Sequence, residues 1–221
     1  MPSSDPRSTR VNAKAAETRL RLVEAAVGEF ADKGFGGAST RGIASRAGVA
    51  LASLPYHFKT KEALWKAAAD HLFGIFREQF VRRIEGLDGV DALTRSRLLL
   101  RDFVVFSAAH PELHRFLLQD GSERTARLEW LVAEHVRPMF SLTRELADEL
   151  ASTGYPAPMD AEQRFYAMIG AAATVFAASA QVELVTGEDP FAKERIEAHA
   201  DAIVALFYPA PSERSSAVNP R

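Results

Sequence analysis

The 221-residue chain has no cysteine. That excludes disulfides and thiolate metal sites, and it leaves the redox compartment unread. A Gly-rich phosphate loop and a nucleophile elbow are also missing. Histidine offers little more. In HPELH, His110 and His114 stand four apart, a spacing that can put two imidazoles on one helix face. The run is not HExxH, however, no third ligand is indicated, and Pro111 puts His110 at a helix start. No metal and no cofactor is expected, and Glu112 and Glu134 read as solvated rather than catalytic. Nothing supports an all-helical enzyme.

Long apolar runs are scarce too. The opening MPSSDPRSTRVN is polar and lacks the apolar run of a signal peptide. The longest charge-free stretch lies between Arg164 and Glu183; it is mostly alanine and includes Tyr166, Thr174, Ser179 and Gln181. A membrane span wants about 20 strongly apolar residues, so this stretch reads as a buried helix. No membrane partner is expected, and a cytoplasmic location follows by default.

What remains is ordinary globular material, 47% hydrophobic and 25% charged, ample for a core. The net charge of −2 is uninformative, but its distribution is not. Residues 1–60 hold nine Lys/Arg against five Asp/Glu, and the rest hold eighteen against twenty-four. A basic end on an acidic body suggests a face made for a polyanion, with chance unevenness as the alternative.

Periodicity predicts an all-α chain of about nine helices and no strand. Residues 1–12 and 209–221 are expected to be disordered tails. Between them, 13–60 reads as a three-helix domain and 61–208 as a larger helical one. Leu22, Val23, Ala26, Val27 and Phe30 share a face, with Gly34 as the stop. Helices are expected over 40–47, 51–58, 61–84, 91–109, 111–120, 123–151 with a kink or break at Pro138, 161–185 and 191–207.

Residues 40–58, TRGIASRAGVALASLPYHF, fit a helix-turn-helix. Ile43, Ala44 and Ala47 can pack inward, Gly48 takes a turn that penalises side chains, and Val49 plugs it. Leu54 and Phe58 return apolar surface to the first helix. Ser39 or Thr40 caps the helix, leaving backbone N–H groups free to meet a phosphate.

Here the sequence resembles the TetR family of transcriptional regulators. The resemblance runs from about Thr18 to Leu64, through LVEAAVGEF, KGF (33–35), TRGIASRAGV (40–49) and LPYHFKTKEAL (54–64). It implies an obligate dimer, nine or so helices and a ligand pocket in the second domain. It also implies that Thr40 and Lys61 hold phosphates and that Tyr56 and His57 contact backbone or bases. Arg41 and Arg46 are cations near the DNA face, able to bind a phosphate or reach a base edge, and Lys59 adds charge. The chain departs from the family at Leu51, where a polar or basic residue is usual, and at Pro55, where a tyrosine is usual. Base reading then leans on methyl contacts from the ALAS run with Leu51, on Ser53 and on Arg41, with DNA shape supplying the rest.

In the larger domain, IGAAATVFAASA (169–180) lets helix backbones approach closely. Ile169, Ala173, Phe176, Ala177, Ala180 and Ile203 are the candidate homodimer interface of a four-helix bundle, an intramolecular core being the alternative. Phe103, Phe106, Phe116, Trp130 and Met139 can line a cavity, with His110, His114 and His135 as polar anchors; a plain core would use the same side chains. The leading reading is a dimeric, ligand-responsive regulator, most readily a repressor that binds palindromic double-stranded DNA and is released by a small molecule. An activator of the same fold is the alternative.

Overall fold

A computed structural model describes the backbone of residues 6–156 and 159–209, with side chains from residue 12 onward. Every regular element among them is helical. In order these are α1 (Pro6–Gly37), α2 (Thr40–Ala47), a 3-10 turn (Leu51–Ser53) running into α3 (Leu54–His57), α4 (Lys61–Glu85), α5 (Ala92–Ala109), α6 (Pro111–Asp120), α7 (Ala126–Leu131), a π turn (Val132–Val136), α8 (Arg137–Ser152), α9 (Ala161–Ala177), α10 (Ser179–Thr186) and α11 (Lys193–Phe207).

Two boundaries differ from expectation, and the kink or break expected at Pro138 takes the form of a π turn. Helix α1 begins at Pro6, inside the stretch read as a tail. Polar composition removes burial but not helix propensity, and proline suits a first turn. Residues 1–5 and 210–221 lie outside the described residues. Pro138 follows a π turn and sits near the start of α8. Its missing N–H and its ring are accommodated where the i→i−4 ladder is already widened. The helix expected over 161–185 breaks at Ala178 (φ −102°, ψ 29°), and its two halves meet at 72°. No glycine or proline stands there, so packing sets the bend.

Helices gather into two compact units. One joins residues up to Gln79 with Glu112–Arg137; the other joins Phe80–Pro111 with Pro138 onward. The cut near residue 60 therefore falls inside the first unit, and α4 runs from the first into the second.

The first unit forms around the α1 face read from the sequence: Leu22, Val23, Ala26, Val27 and Phe30 are all buried. At about 1.5–3 kcal/mol for each large aliphatic or aromatic side chain, that burial holds α2 on α1. Trp65 of α4 is fully buried, stacked on Phe116 at 5.2 Å and edge-on to Trp130 at 5.9 Å. Its Nε1–H donates to Asp120 Oδ2 at 3.0 Å, and Arg127 pairs with the other carboxylate oxygen at 3.0 Å. Asp120 is thereby buried without being left unpaired.

In the second unit α5 packs against α9 and α11. Leu100, Val104, Ala172, Phe176, Ala200 and Ile203 form its centre. Arg95 pairs with Glu149, Arg101 with Asp201, and Arg97 donates to the Tyr208 carbonyl at 3.0 Å. No single described helix is long and apolar enough to cross a membrane.

Candidate nucleic-acid interface

The turn between α2 and α3 is built as its residues require. Ser39 is extended (φ −124°, ψ 143°) and its hydroxyl accepts from Gly42 N–H at 2.9 Å, capping α2. At the other end Gly48 is left-handed (φ 62°, ψ 38°), and its N–H and that of Val49 return to the carbonyls of Ser45 and Ala44. Ile43, Ala44, Ala47, Leu54 and Phe58 are buried as expected.

Two supports come from α1, outside the motif itself. Arg21 donates to the carbonyls of Ala47 and Gly48, placing a cation on the last orphan carbonyls of α2. Glu29, buried on α1, pairs with Lys33 at 2.8 Å and accepts from Ser39 N–H at 3.5 Å. A Cβ at Gly42 would lie 2.4 Å from its Oε1, so glycine there makes room for the acid. The sequence carries a signal for this: Glu29 is an acid three residues after buried Ala26, in core register.

The candidate contact residues fall into two groups. Arg41, Leu51, Tyr56 and Lys59 are exposed, Tyr56 by 82%. Thr40 stands partly exposed at the first position of α2, and His57 partly exposed with its ring edge-on to Tyr56 at 5.2 Å. Lys61 opens α4 behind Thr60, whose Oγ1 accepts from Ala63 N–H at 3.0 Å. The Lys61 ammonium lies over the Phe35 ring at 4.6 Å, while the Arg127 guanidinium lies 3.8 Å from the same ring. Phe35, the aromatic of KGF, thus steers a cation at a helix N-terminus.

Arg46 and Ser53 are differently engaged. Arg46 pairs with Asp32 at 3.0 Å and covers Gly28, so its charge is matched against α1. Ser53 donates its hydroxyl to the Ala50 carbonyl at 2.5 Å, leaving only acceptor capacity for a base.

Residues 22–68 match the family described as bacterial regulatory proteins, tetR family. Over this region the chain is similar to the TetR family. It is 31% identical over 107 residues to a Bacillus subtilis protein named as a probable HTH-type transcriptional regulator, YttP, covering 47% of this chain and 50% of that one. It is 26% identical over 146 residues to the HTH-type transcriptional dual regulator CecR of Shigella flexneri, covering 61% and 65%. The matches thus span half to two-thirds of those relatives. Among solved structures, AibR in complex with isovaleryl coenzyme A and operator DNA superposes with a TM-score of 0.71 at 19% identity, covering 87% of this chain and 98% of that one. FadR of Bacillus subtilis in complex with stearoyl-CoA gives 0.63 at 17%, covering 86% and 97%. At such identities the likeness is one of fold, and the TetR-type reading head is the part that sequence also supports.

The candidate pocket and dimer residues are distributed less simply. In the first unit, Phe116 and Trp130 flank Trp65, and buried His135 stacks on Phe73 at 4.6 Å with its Nε2 3.0 Å from Asp70 Oδ1. Burial holds the imidazoles of His135 and His114 below their usual range, Asp70 opposing the shift at His135. In the second unit, Phe106 is buried against Phe80 and His110, Phe103 also meets Phe80, and Met139 is partly buried. A pocket of about 330 Å³ lies among α9, α10 and α11 instead, lined by Val175, Phe176, Pro190, Arg195 and His199 among others. None of the residues singled out from sequence lines it except Phe176.

The interface residues need a correction. Phe176 (1% exposed), Ala173 and Ile203 are inside the chain's own core and offer a partner no surface. Ile169 and Ala177 are partly buried, and Ala180 is exposed on α10, beyond the bend. The alternating small residues serve α9 against α5 and α11. The outward apolar side chains are Tyr166, Leu184, Val185 and Leu206.

Proposed function

We propose that the chain is a dimeric transcriptional regulator whose α2–α3 head enters the major groove of a palindromic operator, and that a small molecule controls its release. The observation that carries this reading is that Tyr56 is exposed and Thr40 and Lys61 are partly exposed around a tightly capped turn. Together they present hydroxyl, phenol and ammonium groups next to two helix N-termini. Thr40 and Lys61 hold phosphates, and Tyr56, His57, Arg41 and Lys59 contact backbone or base edges. Leu51 offers apolar contact to a thymine methyl.

A single head this small binds weakly, and two heads one helical turn apart supply affinity and palindromy together. The dimer forms through the outward side of α9, α10 and α11, where Leu184 (89% exposed) and Leu206 stand in water in the lone chain. Repression follows if the operator overlaps a promoter. Ligand binding favours a form whose heads no longer match the half-site spacing, and a preference of a few kcal/mol suffices to switch occupancy. Acyl-CoA thioesters are the first effectors to test, because AibR and FadR carry them in structures of this fold.

The test is selection of bound sequences from random duplexes, followed by titration of the recovered site. An inverted repeat bound with steep salt dependence supports the reading. Absence of any salt-sensitive duplex binding overturns it. Loss of binding on adding short- or long-chain acyl-CoA decides the effector class.

A further inference from the structure

Inside α1, the KGF run (33–35) turns the chain towards the start of α4. Gly34 leaves the helical path (φ 66°, ψ 175°), and a Cβ there would meet Gln119 Oε1 at 2.9 Å. Both the conformation and the close approach exclude a side chain. Past this turn the Phe35 ring lies parallel to Phe30, 6.0 Å between centroids, and meets two cations from other helices.

The two cations are held differently. The Arg127 guanidinium lies 3.8 Å from the ring centroid and pairs at 3.0 Å with Asp120, a buried acid that also accepts from Trp65. Arg127 is thus fixed by its own partner, and it clamps the ring. The Lys61 ammonium lies 4.6 Å from the same centroid, and Lys61 keeps part of its surface in water. Lysine carries its charge on a flexible four-carbon stem, and that freedom is lost when it binds an anion. A ring face attracts an ammonium yet leaves it N–H donors that point away from the ring. Lys61 is therefore ordered in advance at the first turn of α4, where the helix dipole adds a positive field.

We propose that Phe35 is a positioning residue for DNA binding: clamped by Arg127, its ring preorganises the Lys61 ammonium for a backbone phosphate. The proposal rests on the DNA-binding reading above and deepens it, because part of the phosphate site is then built outside the helix-turn-helix, on α1 and α7. Phe35 itself touches no DNA and adds no base specificity. It raises affinity by lowering the ordering cost of a charge already present.

The test is a double-mutant cycle in the full chain, on a duplex carrying a site selected by the unaltered chain. Lys61→Gln removes the charge, and Phe35→Met keeps an apolar side chain without a ring face. Lys61→Gln should make the slope of log affinity against log salt shallower by about 0.9 for each phosphate no longer neutralised. Phe35→Met should weaken binding by about two- to fivefold for each head engaged, and should change nothing in the Lys61→Gln background. Phe35→Tyr, which keeps the ring face, should restore binding. Far-UV circular dichroism and sedimentation check fold and assembly.

Equal losses from Phe35→Met in both backgrounds mean a packing role and overturn the proposal. Unchanged or tighter binding by Phe35→Met overturns it too, as does an unchanged slope in Lys61→Gln. If Phe35→Met does not fold, the unaltered chain decides. Its Lys61 ε-methylene protons should be shifted upfield by the ring in NMR spectra, and unshifted protons overturn the clamp. Each of these failures, with salt-sensitive binding by the unaltered chain, leaves the regulator reading standing. No salt-sensitive binding by the unaltered chain overturns both.

Discussion

Tyr56 and Gly48 show how two neighbours in one motif answer to different constraints. Tyr56 is exposed, so Tyr56→Ala should move folding stability by no more than about 0.5 kcal/mol. Its effect should fall on the dissociation constant for the selected operator, read by fluorescence anisotropy. Gly48 is left-handed, and a Cβ there lies 2.9 Å from Arg21 Nη2. Gly48→Ala should cost about 1–2 kcal/mol in a denaturant melt. His135 carries a pH dependence. Its folded-state imidazole and that of His114 are held down by burial, so the unfolded chain takes up protons first as pH falls. Stability is therefore fully present above the ordinary value of 6.5 and declines as pH drops towards the depressed folded values. The urea midpoint should fall between pH 7.5 and 5, and less so in His135→Gln; a flat midpoint contradicts the assignment. At this scale the sequence announced Gly48, Leu54 and Phe58 through type and spacing. It was silent on the pairing of Arg46 with Asp32 and of Asp120 with Arg127, because ion pairs between distant positions leave no periodic trace.

Among the elements, α2 depends most on its ends. Eight residues are too few for a helix to persist by propensity alone, so the Ser39 cap and the α1 face beneath carry it. Ser39→Ala should cost about 0.5–2 kcal/mol, with the first unit's amides exchanging faster than those of α5 and α11. The long patterns were legible where one face is buried, as in α1 from Leu22 onward and in α5. They were misread where the chain bends without a breaker, at Ala178, whereas the interruption expected at Pro138 is present as the π turn before it. Alanine-rich sequence has good helix propensity on either side of a bend, so only packing against α5 and α11 fixes where it occurs.

For the molecule as a whole, assembly and folding can be separated by mutation. Leu184→Glu with Leu206→Glu alters outward side chains, and sedimentation should show monomers with an unchanged helical spectrum. Phe176→Ala removes a buried ring and should cost about 3–5 kcal/mol of stability. If instead it yielded folded monomers, the ring would belong to an interface after all. Small residues pack equally well within a chain or between two, which is why the sequence of α9 could not distinguish these cases. The cluster of Trp65, Asp120 and Arg127 has a consequence for how such a chain drifts over generations. Replacing Arg127 alone strands a buried anion, and replacing Asp120 alone strands an indole N–H and a guanidinium, whereas an apolar pair at 120 and 127 asks for neither. Descendants that lose the base at 127 should be found to have lost the acid at 120 as well.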